Sequence, residues 1–392
     1  MGHGGVAVTW VAHLVRTQDG AVGAELNFSS STGTWDIPLN GTESWDLTVQ
    51  RGQLRRTDPE WWFPWRASVL MSWKNSEGVL DPWLLGPITN LPEEDRDDDT
   101  AKLPCSGLGE LLSRRIVTDR DFSPAEHVAL AESSLRRDGL SYGAIAQDII
   151  TAVTTNRVGG QLPIAFASPR ESGSRLRSRE YYGYNVANND AEKLITALTN
   201  VINGPDIMFR PRFTDSSQTF VEWAMVHGTH AQHNIEQTWA MDLDTTSSRS
   251  PVSTVSPKTD SGNLVNKVYW TGAGEDEGTL IRMAVNRRQL ASGMPLMEGV
   301  GSDSDSENPS LIQRRAETAI EVGSAPLQQL TIDIDGSDPR SEIGRWRVGD
   351  SARVTIGDDW LSLAPGSRMM KIIAAKGSWD DTVTLEFQEV LM

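Results

Sequence analysis

The chain is poor in the residues that several common architectures need. Its single cysteine, Cys105, excludes an intramolecular disulfide framework and any multi-cysteine zinc site, so packing or assembly must supply the stability. Basic charge is scarce: 36 Lys and Arg stand against 53 Asp and Glu, a formal net charge of -17 at pH 7. Phosphate-tracking surfaces draw their affinity from clustered cations, so nucleic-acid binding starts as the weak hypothesis. No uninterrupted apolar run is long enough to span a bilayer. The opening MGHGGVAVTWVAHLVRTQDG lacks the basic region and pure apolar core of a signal peptide and reads as a first strand. The expectation is a protein neither secreted by a signal peptide nor inserted in a membrane. Phe (8) and Tyr (5) are each outnumbered by Trp (14), so large flat anchors dominate the aromatic content. Lysine is far rarer than arginine, which fits a GC-rich coding genome.

What remains is a foldable composition, 38% hydrophobic and 23% charged over 392 residues. That length is more than one core usually serves, so two or three domains are expected. From Val6 to about Leu112 short alternating runs are broken by turn signals, an antiparallel β pattern. Arg66–Trp73 and Val79–Leu91 read as a hairpin, Asp95–Asp99 as a solvated tip, and Leu108–Leu112 as a short helix. Residues 123–155 read as helical, with Pro124 at a first helical position, and a second helix runs from Ala191 to Ile202, capped by Asn189 or Asp190. Strands resume at Asp206–Phe213, Thr219–His227 and Ile235–Leu243. Residues 244–262 and 299–310 have linker composition, with strands at Leu264–Thr271 and Leu280–Val285 between them. Leu311–Val322 is an amphipathic helix, and β pattern returns from Leu327. The fold class is α+β, β-dominant: two small antiparallel β-barrel domains with a helical α+β region between them. The boundaries are 1–115 for the first barrel, 116–260 for the middle region, and 261–392 for the last barrel with its helix 311–322. Strands within 206–243 are free to join the first barrel.

The two β units share a sequence of elements. Pro64–Leu70, Gly86-Pro87-Ile88-Thr89 and Asp98-Asp99-Thr100 through Leu103 run parallel to Val348–Ile356, Gly366-Ser367-Arg368-Met369 and Asp380-Asp381-Thr382 through Leu385. Generic hairpin grammar accounts for this as well as a duplication does. A duplication makes two related barrels.

Four stretches, in order, carry a likeness to a known family. They are Gly86-Pro87-Ile88 leading to Leu103-Pro104-Cys105-Ser106-Gly107-Leu108-Gly109-Glu110-Leu111-Leu112; Gly204-Pro205-Asp206-Ile207-Met208-Phe209 after a helix; Asn263-Leu264-Val265-Asn266-Lys267-Val268 with Gly272-Ala273-Gly274; and Trp346-Arg347-Val348-Gly349-Asp350 through Val354. In these the chain resembles the tail hub proteins of long-tailed bacteriophages, called minor tail proteins in phages of actinobacteria. It is similar, too, to the baseplate hub of contractile-tailed phages and to the structural N-terminal part of tail-associated lysins. The resemblance implies a virion protein at the tail tip of a siphovirus: a homotrimer whose two barrels per chain form a pseudo-six-fold ring. It would dock on the distal tail protein ring, with the tape-measure protein above and tip or fibre proteins below, and gate genome ejection. DNA would meet it only in passing through the lumen. The implied role is structural, with no enzymatic activity, cofactor or metal. Because the chain reaches Met392 on a strand, any lytic or receptor-binding activity is expected on another chain.

Residue chemistry supplies few alternatives. His227, His230 and His233 are three apart, but Gly228-Thr229 places them at a strand end and loop, which favours a surface loop over a metal site. The acidic strings Asp95–Asp99, Asp303–Glu307 and Asp333–Asp338 lack the calcium-loop spacing and read as solvated turns. Gly272-x-Gly274-x-x-x-Gly278 is not the dinucleotide fingerprint, and Cys105 reads as a buried inert thiol. The sharpest feature is Trp61-Trp62-Phe63-Pro64-Trp65 with Trp73 and Trp83. Read as a strand, Trp61 and Trp62 face opposite sides. Barrel core and subunit interface lead a sugar-stacking platform as explanations, and Trp61, Trp62, Trp65 and Trp83 are the candidate subunit-interface residues. The rival functions are a carbohydrate-binding receptor module and a cell-wall glycan or peptidoglycan hydrolase.

Overall fold

A computed structural model describes residues 9–389 except 124, 156, 175, 202, 238, 275, 304, 305, 325 and 326. The sequence expectations for Val6, for Pro124, for the end of a helix at Ile202, and for part of the acidic string 303–307 therefore lie outside the described residues. The chain is β-dominant, 41% strand and 19% helix. It divides into one unit of residues 1–255, 331–360 and 364–392, and a second of 256–330 and 361–363.

In the larger unit, the hairpin Ala67–Lys74 and Leu80–Pro87 forms as its sequence predicts. It lies in a four-stranded antiparallel sheet with Thr9–Arg16 and Val22–Leu26. A ten-stranded sheet takes other strands of both β regions. Ser44–Gln50 pairs with Thr100–Ser106 and Thr34–Pro38 with Gly366–Ser378, placing Trp35 opposite Gly377. Residues that look like two separate barrels in the sequence thus share one sheet, and no closed barrel is found among the described residues. The hairpins that suggest a repeat also lie apart, one in the four-stranded sheet and one, Ser351–Ile356 with Gly366–Ser378, in the ten-stranded sheet.

Tryptophan joins these sheets. The Trp10 ring meets Trp35, Trp73 and Trp379 at centroid distances of 5.9, 5.1 and 5.4 Å, and Trp83 bridges Trp35 to Trp346 at 6.1 and 5.1 Å. All are buried, and the contacts are tilted or edge-to-face, as the ring quadrupoles prefer. A buried indole N–H needs an acceptor, and three find it in the other terminal region. Trp10 donates to the Asp380 carbonyl, Trp35 to Ser378 and Trp379 to Asp46, each at 2.8 Å.

The middle of the chain shares its core with the first sheet. Val15, Leu70 and Leu85 pack with Ile145, Ile149, Ile150, Ile195 and Trp223. The helix Tyr142–Thr154 starts where the Ser141 side chain accepts from Ala144 N, and Ala191–Thr199 where Asp190 accepts from Lys193 N at 2.8 Å. Ile207–Phe213 and Val221–His227 pair in a three-stranded sheet with the parallel strand Ile164–Phe166. Two differences from the sequence expectation stand out here. The helical reading of 123–155 is interrupted by a strand, Ser134–Leu140, which pairs with Arg177–Tyr182. In place of Ile235–Leu243 only Met241–Asp244 is a strand, parallel to Ser351–Ile356.

In the smaller unit, Lys267–Thr271 lies between Ile281–Val285 and Glu298–Ser302. The helix Pro309–Gly323, capped by Asn308, buries Ile312 and Ala316. Both segments of linker composition contain strands, Val252–Asp260 and Glu298–Ser302. Val252, Thr254 and Val255 begin the first, and Gly299 and Gly301 let the second lie close against the Val265 and Trp270 side chains.

Buried charge is concentrated where the strand Ile207–Phe213 meets residues 346–350. Arg210 approaches Asp350 at 3.4 Å, Lys371 approaches Asp206 at 2.6 Å, and Arg347 holds Asp81 at 2.8 Å while lying 4.6 Å from the centre of the Trp83 ring. Burial pushes the Asp350 carboxyl up, with Arg210 opposing. Glu43 has no such cation: burial pushes its carboxyl up to about 7. It lines an internal cavity of about 20 Å³ with Arg210 and Arg347, enough for one water.

Two measurements test this core. Trp35→Ala removes an indole from the centre of the aromatic chain and should cost about 3–5 kcal/mol by urea unfolding. Gly86→Ala should cost about 1–3 kcal/mol, because a Cβ there would overlap the Ser106 carbonyl. A near-neutral result for both would mean the sheets do not meet as described. Glu43 binds its proton more tightly folded than unfolded, so stability should fall as pH rises between its ordinary 4.5 and about 7. The loss should be at most roughly 3 kcal/mol, and Glu43→Gln should flatten that part of the profile. An unchanged slope in the variant would place the proton elsewhere.

Candidate functional site

The Trp61–Trp65 segment is a turn and not a strand. After the helix Arg51–Arg56, the Asp58 carboxylate accepts from Glu60 N at 3.0 Å and Pro59 occupies the first position of a 3-10 turn, Pro59–Trp61. An aspartate followed by proline sets this conformation locally, which overrides the alternation expected of adjacent tryptophans. Trp61 and Trp62 are both half-buried. Trp61 lies so close over Gly23 that a Cβ there would collide with its ring. Phe63 turns outward and is 49% exposed.

Trp65 is half-buried with φ 67, a left-handed conformation that costs a bulky residue about 1 kcal/mol or more. Two contacts hold it: its N–H donates to the Ile88 carbonyl at 2.9 Å, and the Arg114 guanidinium lies 4.2 Å from its ring centre. Arg66 and Glu60 pair at 2.7 Å beside it. The result is a small aromatic surface, Trp61, Trp62, Phe63 and Trp65, bordered by paired charges. Such surfaces anchor protein contacts, because flat rings bury much area at low entropic cost and the surrounding charges keep the free form hydrated.

Trp83 is not part of it. It is 3% exposed and enclosed between Trp35 and Trp346, so its own chain has taken up the surface that an interface would need. Phe63 and Arg114 belong to the surface and were missed as site residues. Phe63 lies inside the quoted aromatic run and was legible; Arg114 is brought in from a distant helix end, and no local signal marks it.

The other sequence candidates disperse. His227 is buried rather than in a surface loop: its Nδ1 meets the Gly228 carbonyl at 2.8 Å, its Nε2 the Gln147 amide at 3.0 Å, and burial lowers its pKa. The His230 N–H donates to Glu171. Among the described residues no three His, Cys, Asp or Glu side chains converge as metal ligands. Cys105 is buried, and burial, with Asp46 nearby, pushes its thiol pKa far up. No helix among the described residues is long and apolar enough to cross a membrane.

No family model and no curated protein matches the sequence. Solved structures do. A tail protein from Neisseria meningitidis is 13% identical, with 97% of each chain covered and a TM-score of 0.55. The 43 kDa tail protein of a Shewanella oneidensis prophage is 10% identical over 98% of each chain, TM-score 0.57. A prophage tail protein from Listeria monocytogenes is 10% identical over 97% of this chain and 94% of that one, TM-score 0.50. At such identities likeness speaks to the backbone alone, and on that ground the chain has, over nearly its whole length, the fold of phage tail proteins.

Proposed function

We propose that this chain is a structural virion protein, the hub at the distal tip of a bacteriophage tail. The observation that carries the reading is end-to-end likeness in fold to solved tail proteins, covering both partners almost completely. In the finer reading the hub is a homotrimer of a siphovirus tail, with barrel-like β regions closing a ring in the assembly. It links the distal tail protein ring and tape-measure protein to tip or fibre proteins and opens for genome ejection. The actinobacterial host belongs to the same proposal, and the arginine bias fits it as it fits any GC-rich genome. The chain acts by shape and contact, without catalysis.

Assembly has a physical cost here, since each copy carries a formal charge of -17. Like-charged copies repel, and the repulsion is screened over about 8 Å at physiological salt. The aromatic surface around Phe63 supplies a non-ionic anchor. A three-fold ring joins two different faces of neighbouring copies, so this surface meets a different patch on the next chain. The same acidity suits a lumen through which DNA passes without sticking.

Sedimentation over a range of concentrations should give a species of three times the 43.1 kDa chain, strengthened by added salt. Phe63→Asp with Trp62→Ala should weaken it at least tenfold, with the chain still folded by circular dichroism. A monomer at every concentration and salt, alone and with the distal tail ring, would count against the hub. A trimer indifferent to the double substitution would move the interface elsewhere.

A further inference from the structure

The larger unit holds an open cleft of about 710 Å³, a volume ordinary for small-molecule sites. Its floor is sheet. In parallel register Asp242 lies opposite Arg353 and Asp244 opposite Thr355, and across the next, antiparallel pairing Thr355 lies opposite Ser367. Strand alternation puts these side chains on one face, while Met241, Leu243, Ala352 and Val354 fill the core behind. Trp239, half-buried, lines it together with Arg340 and Arg345.

The charges in this cleft are already matched. Arg353 is paired with Asp242, Arg340 with Asp338 at 2.6 Å, and Arg345 with Glu342 at 3.2 Å. A phosphate or carboxylate ligand would compete with a carboxylate at every guanidinium. A neutral polyol would not: each hydroxyl both donates and accepts, so it can bridge the free N–H groups of an arginine and the free lone pairs of its aspartate. Asp244 accepts from the Thr246 N–H and hydroxyl and is also approached by the Ser247 N–H, which holds its carboxylate in place as an acceptor. The Thr355 and Ser367 hydroxyls, 2.7 Å apart, add two groups of either sense. The Ser250 hydroxyl on the rim is buried without a partner among the described residues. An indole beside planar donors and acceptors matches a pyranose ring, which has an apolar face and a polar edge.

We propose that this cleft binds a neutral saccharide, stacked on Trp239 and held at its hydroxyls by the Asp242 and Arg353 pair, Asp244 and Arg345. The site is separate from the aromatic surface, and its assignment does not depend on the tail reading.

The test is calorimetric titration of the full chain with neutral probes (maltotriose, cellotriose, chitotriose and galactotriose), with tri-galacturonate, glycerol phosphate and a short single-stranded DNA as charged ones. At least one neutral trisaccharide should saturate with Kd tighter than about 1 mM. Trp239→Ala and Asp242→Asn should each weaken it at least tenfold, Trp239→Phe should retain part of the affinity, and Trp62→Ala should leave it unchanged. The proposal is overturned if no neutral probe saturates, if only the charged probes bind, or if the cleft variants bind as the parent does. A chain that stays monomeric yet binds saccharide through Trp239 would sink the hub and keep the cleft.

Discussion

Three buried indoles tie the two ends of the larger unit together through the acceptors they find, while those of Trp73 and Trp83 are held by packing with no partner among the described residues. An indole carries a large apolar body and one obligatory donor, so burying it without a carbonyl at the right place costs free energy that packing must recover. Trp10 and Trp35 donate to carbonyls near residue 380, and Trp379 donates back to Asp46, so the two ends of the chain each complete the other's core. The strand pairing of Thr34–Pro38 with Gly366–Ser378 places these groups in register. Residues 364–389 are therefore structural members of the same unit as the N-terminal strands and have no core of their own to fall back on. Long-range pairing of this kind makes folding slow, because loop closure must precede the contacts that reward it.

That constraint also explains what was legible in the sequence. One helix start was, since Asp190 acts on the N–H groups just after it, whereas the caps at Ser141 and Asn308 went unmarked although they act in the same way. Hairpins were, since the turn after Lys74 returns the chain onto the preceding strand. Pairings across hundreds of residues leave no local trace, so one continuous sheet was read as two barrels. Composition misled in the Ser- and Thr-rich segments, where Val252–Asp260 is a strand under a linker's vocabulary. It misled again at Ser134–Leu140, whose pairing partner lies some forty residues on.

The candidate surface shows the same division. Tryptophan abundance singled out the 61–65 cluster, but composition cannot separate a ring that fills a core from one that meets a partner. Trp83 became core because Trp35 and Trp346 converge on it, whereas the turn begun by Asp58-Pro59 lifts Phe63 into solvent. The cleft was illegible for a related reason. Met241-Asp242-Leu243-Asp244 alternates visibly, yet its polar face becomes a binding floor only beside Arg353 and Thr355, more than a hundred residues away.

The two surfaces answer one problem in opposite ways. A chain this acidic repels most of what approaches it, itself included, and the repulsion acts on any ligand with negative charge. The aromatic turn avoids the problem by offering area without charge, and the paired arginines at its border stay hydrated until a partner covers them. The cleft solves it by cancelling charge in place: each guanidinium meets its own carboxylate, so the lining keeps the directionality of charged hydrogen bonds with little net field. A neutral ligand experiences only the directional part. The remaining acidity acts on other ions only within the screening length, about 8 Å at physiological salt.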